Sequence, residues 1–341
     1  MTLVARRVTA TLTALILGVG LVLLAGTEAV AADNGAWSVT PTPPEVETAT
    51  PRNYFVLEGE PGQVVKDSVR IQNFTDKPIT FDLYGADGYN TRASGFFALK
   101  GLEEPQTDVG AWIRMPFRRL TVAGRTQADV PFTIKVPDNA TPGDHVGGVV
   151  ALNTAIEGTQ DADDLKIGVQ RAVGARLYLR VAGPVTPDVT VTEVGLDHER
   201  GWLPWTGSGN GTVTYTIENT GNVRLAPGTV IALTGLFGRE LDTVRPEALV
   251  DLLPGQTVTL TEAVTGIGFL DRVTTSVSLE ISEGVGDTGQ TVSWVIPWLA
   301  MALLALLLVG AAWWWRRRRN ERQRSFDSVR DAPLITVSSV P

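Results

Sequence analysis

Three clusters of side chains in this sequence have the types that binding chemistry needs. Between Tyr84 and Phe97, the rings of Tyr84, Tyr89, Phe96 and Phe97 stand among Asp87, Asn90, Thr91 and Arg92. Flat rings pack on the C–H faces of sugars, and amide, carboxylate and guanidinium groups bond their hydroxyls. The stretch also fits a loop folded over a sandwich end, with Phe96 and Phe97 capping the core. A second cluster holds Trp112 with Arg114, Arg118, Arg119 and Arg125. Guanidinium groups grip carboxylates and phosphates at two points, or pair with carboxylates of their own chain on a solvated face. The third is Val136 to Gly148, where His145 is either a hydrogen-bonder for a ligand or a strand residue. Candidate glycan-binding residues are therefore Tyr84, Tyr89, Asn90, Arg92, Phe96, Trp112, Arg114 and His145.

Composition removes other chemistries. With no Cys, no disulfide, thiolate metal site or Cys nucleophile can form. The two histidines, His145 and His198, stand too far apart in sequence to suggest a multi-His metal site. No glycine-rich phosphate loop occurs; Gly207 to Gly211 reads as a hairpin tip. The acidic stretch Asp161–Asp164 is a solvated loop by its polarity, or a cation site; it lacks the turn glycine and bidentate Glu of a Ca²⁺ loop. A carboxylate-pair hydrolase needs neither His nor Cys, yet no such pair sits in a motif. The reading is a binding protein, not an enzyme, with no cofactor. Residues 32–315 carry a net charge of −13 and residues 316–341 one of +4. An acidic body of that kind excludes nucleic acid as the natural partner.

The elements that must hold these clusters are strands. Apolar residues alternate with polar ones at Ile79/Phe81/Leu83, Val130/Phe132/Ile134/Val136 and Leu177/Leu179/Val181, and again at Val213/Tyr215/Ile217 and Val277/Leu279/Ile281. Turn signals such as Pro61-Gly62 and Pro142-Gly143 separate the runs. Val69–Ile79 and Tyr215–Leu225 align without a gap, each a strand ending in Asn (Asn73, Asn219), a tight turn and a second strand. The expected fold is all-β: two tandem immunoglobulin-like β-sandwiches over 53–183 and 184–293, after a solvated Pro/Thr-rich lead-in at 32–52.

The ends supply an address. Arg6-Arg7, the apolar run Val8–Leu24 and Ala29-Val30-Ala31 predict a signal peptide over 1–31. Val295–Trp315 is uncharged and bilayer-long, with Trp294 and Trp298 at one rim, Trp313-Trp314-Trp315 at the other, and Arg316–Arg319 next. This predicts one C-terminal transmembrane helix over 294–315, an extracellular body and a basic cytoplasmic tail at 316–341. No Leu-Pro-x-Thr-Gly sorting motif precedes it.

From Tyr54 to Leu152 the chain resembles the peptidoglycan-binding domain of WxL-interacting proteins. The matching pieces are Tyr54-Phe55-Val56-Leu57 with Pro61-Gly62, then Val69-Arg70-Ile71-Gln72-Asn73, Ala86-Asp87-Gly88-Tyr89-Asn90-Thr91 with Gly95-Phe96-Phe97, Trp112-Ile113, and Val136-Pro137 through Gly147-Gly148. His145 stands where that family's last signature has Tyr. The second half resembles the family's host-binding domain only as a sandwich with an Asn-Thr-Gly-Asn turn. The resemblance implies a cell-envelope protein whose first sandwich binds peptidoglycan or an associated wall polymer. Its second sandwich would present a surface to another surface protein. An adhesion or chaperone-like surface scaffold without glycan binding is the alternative.

Overall fold

The structure, a computed structural model, describes residues 35–44, 52–156, 158–162, 165–198, 209–281 and 286–330. The signal-like 1–31, residues 32–34 and 45–51 of the lead-in, Asp163, Asp164, Gly207 and residues 331–341 lie outside them. The described residues divide into two compact units: one falls within 35–91, 96–186 and 221–224, and the other within 92–95, 187–220 and 225–330.

The first unit contains, in chain order, β1 (Trp37–Pro41), β2 (Phe55–Gly59), β3 (Val64–Asn73), β4 (Ile79–Asn90), β5 (Phe97–Leu99), the one-turn helix α1 (Val109–Trp112), β6 (Ile113–Arg114), β7 (Arg119–Val122), β8 (Gln127–Lys135), β9 (Gly143–Asn153), β10 (Gly158–Ala162), β11 (Leu165–Val169) and β12 (Ala172–Val181). One sheet runs β1-β3-β8-β6. The other runs β2-β12-β9-β4-β5, with β7 also on β4. β2 runs parallel to β12, whereas the remaining pairs in these two sheets are antiparallel. The inward rows of the two sheets, including Val69, Ile71, Phe81, Leu83, Phe132, Ile134, Leu177 and Leu179, form one buried core. Phe55 meets Phe132 edge-on at 5.1 Å, the orientation the ring quadrupoles favour.

One expectation changes here. Part of the lead-in is a core strand: Trp37–Pro41 pairs with β3, and Trp37 is buried 5.5 Å from the Phe81 ring. Five residues give too short an alternation to stand out beside the Thr/Pro composition that follows. The hairpin expected over Glu157–Asp164 is formed by β10 and β11, and Asp163 and Asp164 at its tip lie outside the described residues.

The second unit contains β13 (Val189–His198), β14 (Gly211–Asn219), β15 (Gly228–Thr234), β16 (Glu240–Val244), β17 (Thr257–Val264), β18 (Asp271–Glu280), β19 (Thr288–Val295) and the helix α2 (Trp298–Arg330). Sheets β13-β14-β17 and β16-β15-β18-β19 enclose Val213, Tyr215, Ile217, Ile231, Leu233, Val273 and Val277. The repeat in the sequence is structural. The Asn73 amide donates to the carbonyl oxygens of Lys77 and Val122 at 2.8 and 3.1 Å, and the Asn219 amide to that of Leu252 at 2.9 Å. The buried Asn73 thereby closes the turn that ends its strand, and the buried Asn219 ties the end of β14 to the segment before β17.

The helix expected over 294–315 begins later. Trp294 and Val295 finish β19, where Val295 is buried opposite Asp271, and α2 starts at Trp298 after Pro297. Thr-Val-Ser-Trp-Val carries strand alternation, and the apolar count alone could not see that. Trp298–Arg319 is long and apolar enough to cross a membrane, with a mean hydropathy of 1.9.

Candidate functional site

Strand β4 organises the region where the candidate residues fall. Its first half obeys strict alternation: Phe81 and Leu83 point into the core, while Asp82 and Tyr84 point outward. Its second half passes beneath α1, and two glycines permit the approach. A Cβ on Gly85 would lie 2.6 Å from the Ile113 side chain, and one on Gly110 would lie 2.5 Å from the Ala86 backbone.

Asp87 then pins the segment that carries α1. Its buried carboxylate accepts the backbone N–H of Thr107 at 2.6 Å, of Gly110 at 2.8 Å and of Asp108 at 3.1 Å. Lys100 adds its ammonium at 3.2 Å. Charge-assisted bonds to backbone donors are the strong kind, so one side chain fixes residues 107–110. In the sequence Asp87 stood only as a polar neighbour of the aromatic rings.

The fixed segment aims Asp108 at His145. The Asp108 carboxylate lies 2.5 Å from Nδ1, and the Thr141 carbonyl lies 2.8 Å from Nε2. An imidazole facing an acceptor at both nitrogens must donate from both, which only the imidazolium can do. Burial pushes the His145 pKa down. The Asp108 hydrogen bond and charge, the Thr141 carbonyl and the Asp144 charge together push it further up, so the net shift is upward. The Trp112 ring lies against the His145 ring, tilted by 49° with 4.6 Å between centroids.

Beside Ile113, the residue that follows α1, an open groove of about 1020 Å³ runs along Asp82, Tyr84, Leu102, Glu103, Arg114 and Arg118, with Arg119 beside them. Arg119 grips Asp82 at 2.7 and 2.9 Å. That guanidinium holds the Asp82 carboxyl below the usual carboxylate range. Arg114 donates to the Ala111 and Ile113 carbonyls, which orients it without neutralising it. Arg118 is exposed, and its side chain makes no hydrogen bond or ion pair among the described residues. Burial, and then the charge of Glu104, raise the Tyr84 phenol, so it stays protonated as a donor and acceptor at neutral pH. A wall this size, mixing one ring, apolar patches and cations, suits an anionic oligomer better than a single sugar.

The structure thus separates the candidate residues. Tyr84 and Arg114 share the groove, and Trp112 and His145 share the ring pair. Tyr89 and Asn90 lie farther along β4 opposite β5, in register with Ala98 and Phe97, and Asn90 is buried. Phe96 is exposed at the hairpin tip. Arg92 groups with the second unit, where its carbonyl accepts from Thr259 N–H at 2.8 Å. Arg125, the last of the Arg cluster, pairs with Asp76 at 2.8 Å and does not line the groove. Tyr84–Phe97 is not a free loop: Asn90 still belongs to β4, and β5 lays Phe97 and Leu99 over the glycines of the sheet. A Cβ on Gly88 would be 2.9 Å from Phe97, and one on Gly148 2.7 Å from Leu99. Arg176 stacks on the Phe97 ring at 4.6 Å.

Arg119 stood in the sequence's basic cluster, and its partner Asp82 was within reach of sequence reasoning. Asp82 shares the outer face of its strand with Tyr84, and it sits opposite Arg119 in register. Glu103, Leu102 and Asp108 lie in a stretch with no periodicity, and nothing in their spacing announced them. Among the described residues, no group of three or more His, Asp or Glu could hold a metal ion.

Residues 37–152 match the family model described as WxL Interacting Protein, peptidoglycan binding domain. No curated protein sequence matches the chain. Several solved structures are distantly similar. The class 5 fimbriae chaperone CfaA shares 10% identity over 76% of this chain and 100% of its own, with a TM-score of 0.33. A structure of a chaperone–tip adhesin complex of CFA/I fimbriae biogenesis shares 9% over 70% and 96%, with a TM-score of 0.34. A complex of the Salmonella enterica SafA pilin with the SafB chaperone shares 9% over 78% and 100%, with a TM-score of 0.30.

Proposed function

We propose that this chain, whose residues 37–152 carry the peptidoglycan-binding domain of the WxL-interacting protein family, is a membrane-anchored protein of the cell envelope. Its first sandwich holds peptidoglycan, or a polymer attached to it, in the groove beside α1. One observation carries the reading: within that family segment, Tyr84, Arg114, Arg118 and Arg119 line an open groove of about 1020 Å³. Peptide stems and wall polymers bear carboxylates and phosphates, which guanidinium groups bind at two points. The ring of Tyr84 offers a face for sugar C–H groups. The Trp112–His145 pair, which does not line the groove, braces the end of α1.

The remaining parts fit this role. The 22 residues Trp298–Arg319 are the anchor, and Arg316–Arg319 mark its cytoplasmic end by the positive-inside rule. The second sandwich presents its surface to another surface protein. The chemistry is binding: the family is described as a binding domain, and the groove gathers cations and a phenol around Asp82 and Glu103.

The test is pelleting of the detergent-solubilised chain with purified sacculi, with and without their teichoic acids. Retention on both preparations supports a wall glycan ligand. Retention only with teichoic acid transfers the site to the anionic polymer. No retention on either removes wall binding.

A further inference from the structure

The second unit has an apolar end that its own core does not use. Leu236 and Phe237 stand at the tip between β15 and β16, and Phe269 and Leu270 at the tip between β17 and β18. All four are exposed, Phe237 completely. Phe237 also sits at φ 60°, ψ 22°, a left-handed conformation that is costly for an aromatic residue. A strained and fully exposed ring contributes nothing to this fold by itself.

Asp271 binds the two tips together. Its buried carboxylate accepts the Leu236 N–H at 2.8 Å and the Arg239 guanidinium at 2.7 Å. Gly235 and Gly268 wrap around it; a Cβ on either would meet its oxygens at 2.8 and 3.2 Å. Asp271 is in register with Val295, the last residue of β19, and only Ile296 and Pro297 separate Val295 from α2. Three residue steps of extended chain reach at most about 10 Å. The tips therefore lie at the end of the sandwich from which the apolar helix leaves.

The chemistry of this end is that of a bilayer interface. Leu and Phe tips are rimmed by the exposed Arg239 and Arg272, and Trp294 faces Arg272 across the ladder. Glu240 is the acid at the edge of the tip. The tip closes its own backbone bonds, Gly235 N–H to the Arg239 carbonyl at 2.7 Å and Gly238 N–H to the Gly235 carbonyl at 3.2 Å. It can thus enter a poorly hydrated layer with these groups satisfied.

We propose that Leu236, Phe237, Phe269 and Leu270 insert into the interfacial layer of the bilayer that α2 crosses and seat the second sandwich on it. This rests on the membrane-anchored reading. Arg239 and Arg272 then meet lipid phosphates, and Trp294 and Trp298 lie at the same depth.

The chain has no Cys, so single labelling sites can be placed at will. The full chain is reconstituted in vesicles of phosphatidylcholine and phosphatidylglycerol as Phe237→Cys, Leu270→Cys, Leu306→Cys or Thr288→Cys, each carrying an environment-sensitive fluorophore. Lipids with a spin label near the headgroup quench the Phe237 and Leu270 positions at least about threefold more than Thr288, at the far end of β19. Lipids labelled deep in the chain quench Leu306. Quenching at Leu306 with Phe237 and Leu270 equal to Thr288 overturns the inference and leaves the anchor standing. No quenching at Leu306 overturns both. Disulfide-linked dimers through the unlabelled Phe237→Cys variant show that a second copy covers the tip, and overturn it as well.

Discussion

Replacing Asp87 by Asn should collapse the site while leaving the sandwich core untouched. The carboxylate accepts three backbone N–H groups and faces Lys100. Asn keeps the volume and one acceptor oxygen but turns an NH₂ toward donors, so at least one short bond becomes a donor–donor contact. Lys100 is partly exposed and finds water, which adds little. A hydrogen bond to a charged group contributes about 1.5–3 kcal/mol, and stranding a buried donor costs a similar amount, so the expected loss is about 2–4 kcal/mol for the first unit. Urea unfolding of wild type and variant measures it. Sacculus pelleting in the absence of urea reads the second consequence, weaker binding as α1 and its neighbour Arg114 lose their position. A loss below about 1 kcal/mol together with unchanged binding would refute the view that Asp87 holds the groove wall.

Three further expectations follow from the same geometry. Arg118→Glu should weaken retention on teichoic-acid-bearing sacculi by about five- to tenfold and reduce its salt dependence, whereas Arg125→Glu and Phe96→Ser, outside the groove, should leave pelleting unchanged. His145 binds its proton more tightly folded than unfolded, so its contribution to stability is complete below the unfolded pKa of about 6.5 and is lost as pH rises through the higher folded value. The stability difference between wild type and His145→Gln in urea should therefore shrink on going from about pH 5.5 to pH 9, and a difference that grows would reverse the assignment. Gly147→Ala places a methyl group 2.3 Å from the Ala86 carbonyl oxygen, closer than any real contact. It should cost roughly 1–3 kcal/mol in urea unfolding, and a neutral result would mean that β4 and β9 can separate there.

Strands were legible where a long alternation buried one face and stood apart from its flanks, as at Ile79–Leu83 and Val213–Ile217. The paired asparagines were legible too, because a buried Asn at a strand end leaves the same mark in both halves of the chain. Trp37–Pro41 escaped because a short strand beside a Thr/Pro tract has no contrast. Val295 was assigned to the wrong element because apolarity does not distinguish the last residue of a strand from the first of a helix. The site was half legible: residue types announced Tyr84, Arg114, Trp112 and His145 but not their partition. That partition depends on Asp87 reaching residues some twenty positions ahead, on Gly85 and Gly110 letting α1 lie down, and on β5 folding back over the sheet. These contacts are long-range and involve residues without periodicity, so no window of sequence contains them.

The central claim is that the groove beside α1 holds wall polymer. Calorimetric titration of the chain with soluble peptidoglycan fragments released by muramidase tests it most directly, comparing wild type with the double variant Tyr84→Ala, Arg118→Glu. The account predicts saturable binding by the wild type, and its loss in a double variant that unfolds at the same urea concentration. Equal affinity in the two proteins, or no heat from either, would contradict it.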